Sequence, residues 1–241
     1  MTRPAFYALR VGGWRDYVNL LHPPYTVWHL SYVILGSAAA PVVHPDRVAG
    51  SLLAFFLAVG IAAHALDEAH SRPLQTGIPK ATLLIVAGAA LVGALGIGVT
   101  AVFTISPWAL PLVLFGGLIV PAYNLEWGGG RFHSDTWFAL SWGAFPAFVG
   151  YWANAERLEV PAVVIAAACL VLSAAQRVLS TPTRRLRRAA TAVSGSIAFK
   201  DESVQLLSMP ALLETPERAL QLLSLGIPLL AVSWLLSRAY G

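Results

Sequence analysis

The sequence predicts an all-α integral membrane protein, a multi-span bundle of about seven helices with its N-terminus in the cytoplasm. Three observations carry that prediction. Of 241 residues, 57% are apolar and 12% charged, against about 25% charged in soluble domains. Several apolar stretches reach the roughly 20 residues that cross a bilayer. They are continuous Leu/Ala/Val/Ile runs, not the short alternating segments of a membrane β-barrel. Arginine and lysine also fall asymmetrically on alternate loops.

The spans read as 25–42, 48–66, 82–104, 107–124, 136–154, 160–178 and 220–238. Ser106-Pro107 makes the third connection short. Thr215-Pro216-Glu217 has the form of a helix start, a capping hydroxyl followed by proline at the first helical position. With the N-terminus inside, the cytoplasmic loops hold Arg3, Arg10, Arg15, Arg72, Lys80, Arg131, Arg177, Arg184, Arg185, Arg187, Arg188, Lys200 and Arg218. The outer loops hold Arg47, Arg157 and Arg238. Thirteen against three sets the orientation. Residues 1–241 then form one transmembrane domain, with a basic loop or amphipathic segment at 179–219 on the cytoplasmic side. The first twenty residues lack an apolar h-region, so no cleavable signal peptide is expected.

The net charge of +4 fits positive inner loops rather than a nucleic-acid partner. A prokaryotic plasma membrane is the expected location. The single cysteine, Cys169, lies inside an apolar span and reads as a small core residue. The sequence leaves the oligomeric state open.

Polar chemistry gathers in the loops after spans two, four and six, all on one face. The densest stretch is His64-Ala65-Leu66-Asp67-Glu68-Ala69-His70-Ser71-Arg72. On a helix His64, Asp67 and Glu68 stand at i, i+3 and i+4 and share a face. Ionisable groups at the edge of hydrocarbon need a partner, a metal or a task. The loop after span four adds Glu126, Arg131, His133 and Asp135 around Gly128-Gly129-Gly130. Carboxylates alone suit Mg²⁺, and mixed imidazole and carboxylate suit Mn, Fe or Zn. A metal site of His64, Asp67, Glu68, Glu126, His133 and Asp135 is one reading. Helix-end capping and ion pairs to Arg72, Lys80 and Arg131 are the other.

The run Arg184, Arg185, Arg187 and Arg188 reads either as positive-inside charge meeting anionic headgroups or as a phosphate clamp. Arg177 lies nearer the membrane and is the stronger clamp candidate. In span one, His29 reads as a hydrogen-bonded structural histidine. In span five, the aromatics from Trp137 to Trp152 partly share a face, either lining a pocket for a lipid tail or packing the bundle.

At these residues the chain resembles the UbiA-type intramembrane prenyltransferase superfamily. That family ends span two with Asn-Asp-x-x-Asp-x-x-x-Asp, followed by Arg-Pro-Leu-Pro-Ser-Gly. The corresponding stretches here are Ala63-His64-Ala65-Leu66-Asp67 and Arg72-Pro73-Leu74-Gln75-Thr76-Gly77. Leu21-His22-Pro23-Pro24, Tyr123-Asn124 and Ser141-Trp142-Gly143-Ala144 are also similar to the family pattern, so the likeness runs over roughly residues 20 to 180. It implies a helical bundle open laterally to lipid and Mg²⁺-dependent transfer from a prenyl diphosphate. It makes Asp67 a metal ligand, puts His64 in the place of an aspartate and matches Arg72 to the loop arginine. Two features depart from the family. One aspartate of three remains in the first motif, and no acid stands at 174–180, where a second aspartate-rich motif belongs.

The expected function is a divergent metal-dependent membrane enzyme acting on an isoprenoid or other lipid at the cytoplasmic face. Asp67 and Glu68 are its expected catalytic residues, and Arg72, Arg131, Arg177 and Tyr123 its substrate-binding residues. Two alternatives stay open: a hydrolase or oxidase of a membrane lipid using a bound metal, and a non-catalytic lipid- or metal-binding protein.

Overall fold

A computed structural model describes residues 4–240, apart from the Ala239 side chain; Arg3, counted above among the inner charges, lies outside the described residues. The chain is an all-α bundle. In order it forms α1 (Trp14–Leu20), α2 (Pro23–Ala39), α3 (Pro45–Ser71), α4 (Lys80–Thr104), α5 (Pro107–Asn124), α6 (135–155), α7 (Val160–Ala189), a hairpin of β1 (Ser196–Ala198) and β2 (Val204–Leu206), and α8 (Met209–Tyr240). Five helices are long and apolar enough to cross a membrane: α3, α4, α5, α7 and residues Met209–Arg238 of α8.

The other two expected spans, α2 and α6, are the more polar ones, and their positions explain why. Trp28 and Tyr32 of α2 and Tyr151 of α6 are fully buried, and Ser31, Ser37, Ser141 and Asn154 are buried with them. These helices pack against other helices over most of their surface, so their polar groups find partners inside the bundle. Ser37 Oγ donates to the Val33 and Gly150 carbonyls at 2.9 and 3.2 Å. Glycine makes the approach possible: a Cβ at Gly36 would stand 1.9 Å from the Ala147 carbonyl oxygen, and one at Gly150 would stand 2.2 Å from that of Val33. Cys169 is fully buried, as expected, and its carbonyl lies 2.6 Å from where a Gly143 Cβ would be.

Two helices carry π-helical segments, Phe56–Ala63 in α3 and Ala139–Ala144 in α6. Such segments recur at functional sites because the wider turn disturbs the backbone ladder. Here each has a carbonyl that meets a histidine. His64 Nδ1 lies 3.2 Å from Gly60 O, and His29 Nδ1 lies 2.8 Å from Trp142 O.

Three expectations for the second half change. The arginine run is not in a loop, because α7 continues as helix to Ala189. Thr215 and Pro216 do not start the last helix. That start is at Met209, where Ser208 Oγ accepts from Ala211 N–H at 3.3 Å, and Pro216 lies inside the helix. Ser208 and Pro210 supply the same capping chemistry about two turns earlier. Between the two helices stands an antiparallel hairpin that residue patterning did not suggest. Its turn is held by Asp201, whose Oδ1 accepts from Ser203 N–H at 3.1 Å and Ser203 Oγ at 2.6 Å.

Candidate functional site

The C-terminal ends of α3, α5 and α7, the beginning of α6 and the segment before α2 meet at one end of the bundle. His64 and His22 stack there, with ring centroids 4.2 Å apart and planes inclined by 22°. Tyr7 Oη lies 2.6 Å from His22 Nδ1. On the other side His133 stacks on Tyr123 at 4.5 Å, and its Nδ1 lies 3.0 Å from the Tyr123 carbonyl. A carbonyl only accepts, so Nδ1 is the donor in both His64 and His133, and in the neutral ring the lone pair is on Nε2. Burial, His64 and the Arg188 and Arg184 guanidinium groups hold His22 well below the usual histidine range. Burial pushes the Tyr7 hydroxyl far above the usual tyrosine range.

Asp67 is half-buried between these stacks, near the His133 ring and close enough to Arg188 and Arg184 for their charges to act on it. Ser71 Oγ donates to its Oδ1 at 3.4 Å. Arg184 is half-buried and Arg188 exposed. Arg184 reaches Thr181 Oγ1 at 3.5 Å, and neither forms an ion pair among the described residues. Tyr7, His22, Tyr25, Arg184 and Arg188 border a cavity of about 20 Å³, which Glu217 and Arg187 close. That volume is about one water.

The helix sorts the acidic pair expected to act together. Adjacent residues on an α-helix point about 100° apart, so Asp67 and Glu68 diverge although both lie near His64 in sequence. Glu68 is fully buried and accepts from Leu74 N–H at 2.9 Å, Thr76 N–H at 2.8 Å and Thr76 Oγ1 at 2.9 Å. It is the anchor of the 72–77 loop. Arg72, in the left-handed region at φ 53°, turns onto the same loop and donates from Nη1 to the carbonyls of Thr76 and Ile78 at 3.1 and 2.8 Å. Asp16, which the sequence reading passed over, accepts from Gly12 N–H at 2.8 Å and Gly77 N–H at 2.9 Å. The Arg-Pro-Leu loop is thus held by two buried carboxylates.

The remaining expected residues are dispersed. Glu126 is exposed at φ 52°, and after Trp127 the backbone returns to positive φ at Gly128, Gly129 and Gly130. Arg131 is exposed beside it, and His70 is exposed on the last turn of α3. Asp135 pairs with Arg177 at 2.6 Å, and the Arg177 guanidinium lies 5.1 Å from the Phe138 ring centroid. Among the described residues no group of three or more His, Cys, Asp or Glu side chains converges on a point a metal ion would occupy. The six expected ligands do not form one set: Glu68 serves a loop, Glu126 faces outward, and Asp135 is held by Arg177. A diphosphate bound through Mg²⁺ ions needs several carboxylates together, and Asp67 alone stands beside the histidines. The donor set does not fit the metal that the family resemblance implies.

Residue patterning missed Tyr7, His22 and Asp16. The signal for His22 is the dipeptide Pro23-Pro24 that follows: it sets a helix start, which places the preceding residue at the bundle end.

Compared with protein-family models, curated proteins and solved structures, the chain has no match.

Proposed function

We propose that the chain is a membrane enzyme of divergent UbiA-like design, acting on an isoprenoid or other lipid with a phosphate or diphosphate head group. The proposal includes seven crossings, with α2 and α6 as inner spans and the N-terminus in the cytoplasm. It puts the polar end of the bundle at the cytoplasmic face of a prokaryotic plasma membrane.

One observation supports it above the others: half-buried Asp67 is within charge range of Arg184 and Arg188, two guanidinium groups without a carboxylate partner among the described residues. Arginine's planar fork matches phosphate oxygens, and partial burial strengthens its pull. In a prenyl diphosphate the allylic C–O bond would break with its electron pair leaving on the diphosphate oxygen, whose charge Arg184 and Arg188 stabilise. The acceptor's nucleophilic atom bonds to that carbon and gives up its proton to Asp67. His133, with the Nε2 lone pair of its neutral ring, is the second base in reach.

The small closed volume beside the arginines favours one second reading, a non-catalytic lipid-binding protein. The two separate in one experiment. The protein is reconstituted in lipid nanodiscs with geranylgeranyl diphosphate and extracted membrane lipids as acceptors, and release of inorganic diphosphate is followed. Turnover that Asp67→Asn lowers by about a hundredfold or more supports the enzyme. Binding without turnover supports the second reading.

A further inference from the structure

At the opposite end of the bundle α3, α4, α5 and α6 enclose a cavity of about 420 Å³. The volume lies within the roughly 300–1,000 Å³ of small-molecule sites. Its wall on α3 runs from Asp46 to Ala58, which at 1.5 Å per residue is about 18 Å. Half of a hydrocarbon core is about 15 Å, so the cavity is one leaflet deep. Its inner limit is aromatic, where the Phe145 ring meets Phe55 at 5.6 Å and Phe115 at 4.7 Å. At its mouth Arg47 donates to the Ala153 carbonyl at 2.9 Å and pairs with Glu156 at 2.7 Å.

Water is a poor occupant. The space would hold about 14 molecules at 30 Å³ each, and every one needs two to four polar partners. The polar side chains on the wall, Asp46, Arg47, Ser51, Thr100, Thr104 and the Trp152 indole, all stand in the outer half. Both threonine hydroxyls already donate to carbonyls of their own helix, Gly96 and Thr100, at 3.0 and 2.9 Å. The deep half offers hydrocarbon and aromatic surface alone.

We infer that this cavity binds one acyl chain of a glycerophospholipid from the leaflet opposite the arginine cluster, with the head group outside beside Arg47. The site is separate from the Asp67 end and stands whether or not that end is catalytic.

Photolabelling of the full chain in phosphatidylglycerol vesicles tests it. Two lipids are compared, with a diazirine near either the carboxyl or the methyl end of one acyl chain. The methyl-end probe should label Phe55 and Phe145, and the carboxyl-end probe residues 46–51. Label on Phe103, which is 84% exposed, reports contact with bulk lipid. Gly50 has open space where its Cβ would stand, so Gly50→Leu should fill the slot and lower label on Phe145 at least fivefold relative to Phe103. The depth-dependent pattern in the unaltered protein needs no variant. Equal labelling of Phe55 and Phe145 by both probes, or none above background, would overturn the inference, as would a folded Gly50→Leu protein that labels as before.

Discussion

Glu68 Oε1 accepts both the backbone N–H and the hydroxyl of Thr76, at 2.8 and 2.9 Å. Its other oxygen holds Leu74 N–H at 2.9 Å, so the carboxylate next to Asp67 in sequence belongs to the scaffold. Removing it orphans three buried donors, and each hydrogen bond to a charged group contributes about 1.5–3 kcal/mol. Glu68→Ala should therefore destabilise the protein by on the order of 3 kcal/mol or more, seen as a lower thermal midpoint in detergent. Asp67→Asn should change that midpoint little while removing turnover. Equal destabilisation by both would merge the two roles again.

The stacked pair His22 and His64 predicts a pH dependence. Folding holds His22 below its ordinary value of about 6.5, so the unfolded chain takes up the proton first as pH falls. Stability is then unchanged above that value and declines as pH drops from about 6.5 toward the folded value. Thermal midpoints between pH 8 and 5 should show this decline, and His22→Phe, which keeps a stacking ring, should make it shallower. A wild-type midpoint that rises on acidification would contradict the assignment.

Gly36 and Gly150 allow α2 and α6 to touch. A methyl at either position would fall 1.9 or 2.2 Å from a backbone oxygen, and neither backbone yields cheaply. Gly36→Ala should cost at least the upper part of the about 1–3 kcal/mol typical of overpacking. Gly96→Ala, where a Cβ meets nothing within 4 Å, should cost nothing or stabilise. Comparative unfolding of the two proteins checks this.

Arg187 and Glu217 join α7 to α8 beside the closed cavity, with a second contact of 2.7 Å from Nη2 to Oε2. Their side chains are 16% and 12% exposed, so this two-pronged pair should exceed the 0.2–1 kcal/mol of surface pairs. A double-mutant cycle with Arg187→Ala and Glu217→Ala should give a coupling of about 1–2 kcal/mol. A coupling near zero would show that the latch contributes nothing.

Much of the fold was readable because hydrocarbon thickness dictates long apolar runs, and α3, α4, α5, α7 and α8 supply them. Residue patterning also found the polar end of the bundle, since His64, Asp67 and the arginines of α7 can stand only at its edge. It did not separate Asp67 from Glu68. Spacing places both near His64, and only the path of the 72–77 loop decides which carboxylate it captures. Nor did residue patterning show that Arg72 donates to the carbonyls of Thr76 and Ile78 in the same loop. The contribution of Tyr7 was invisible, because a short segment before the first long helix carries no periodicity that reveals where it folds back, and that of His22 was signalled only by the Pro23-Pro24 helix start.

The most direct test of a head-group site at Asp67, Arg184 and Arg188 is equilibrium binding of geranylgeranyl diphosphate to the nanodisc-embedded protein, wild type against the Arg184→Ala/Arg188→Ala double variant. The double variant should bind at least tenfold more weakly, while Asp67→Asn binds as wild type and fails to turn over. Equal affinity of the double variant and the wild type would contradict the assignment.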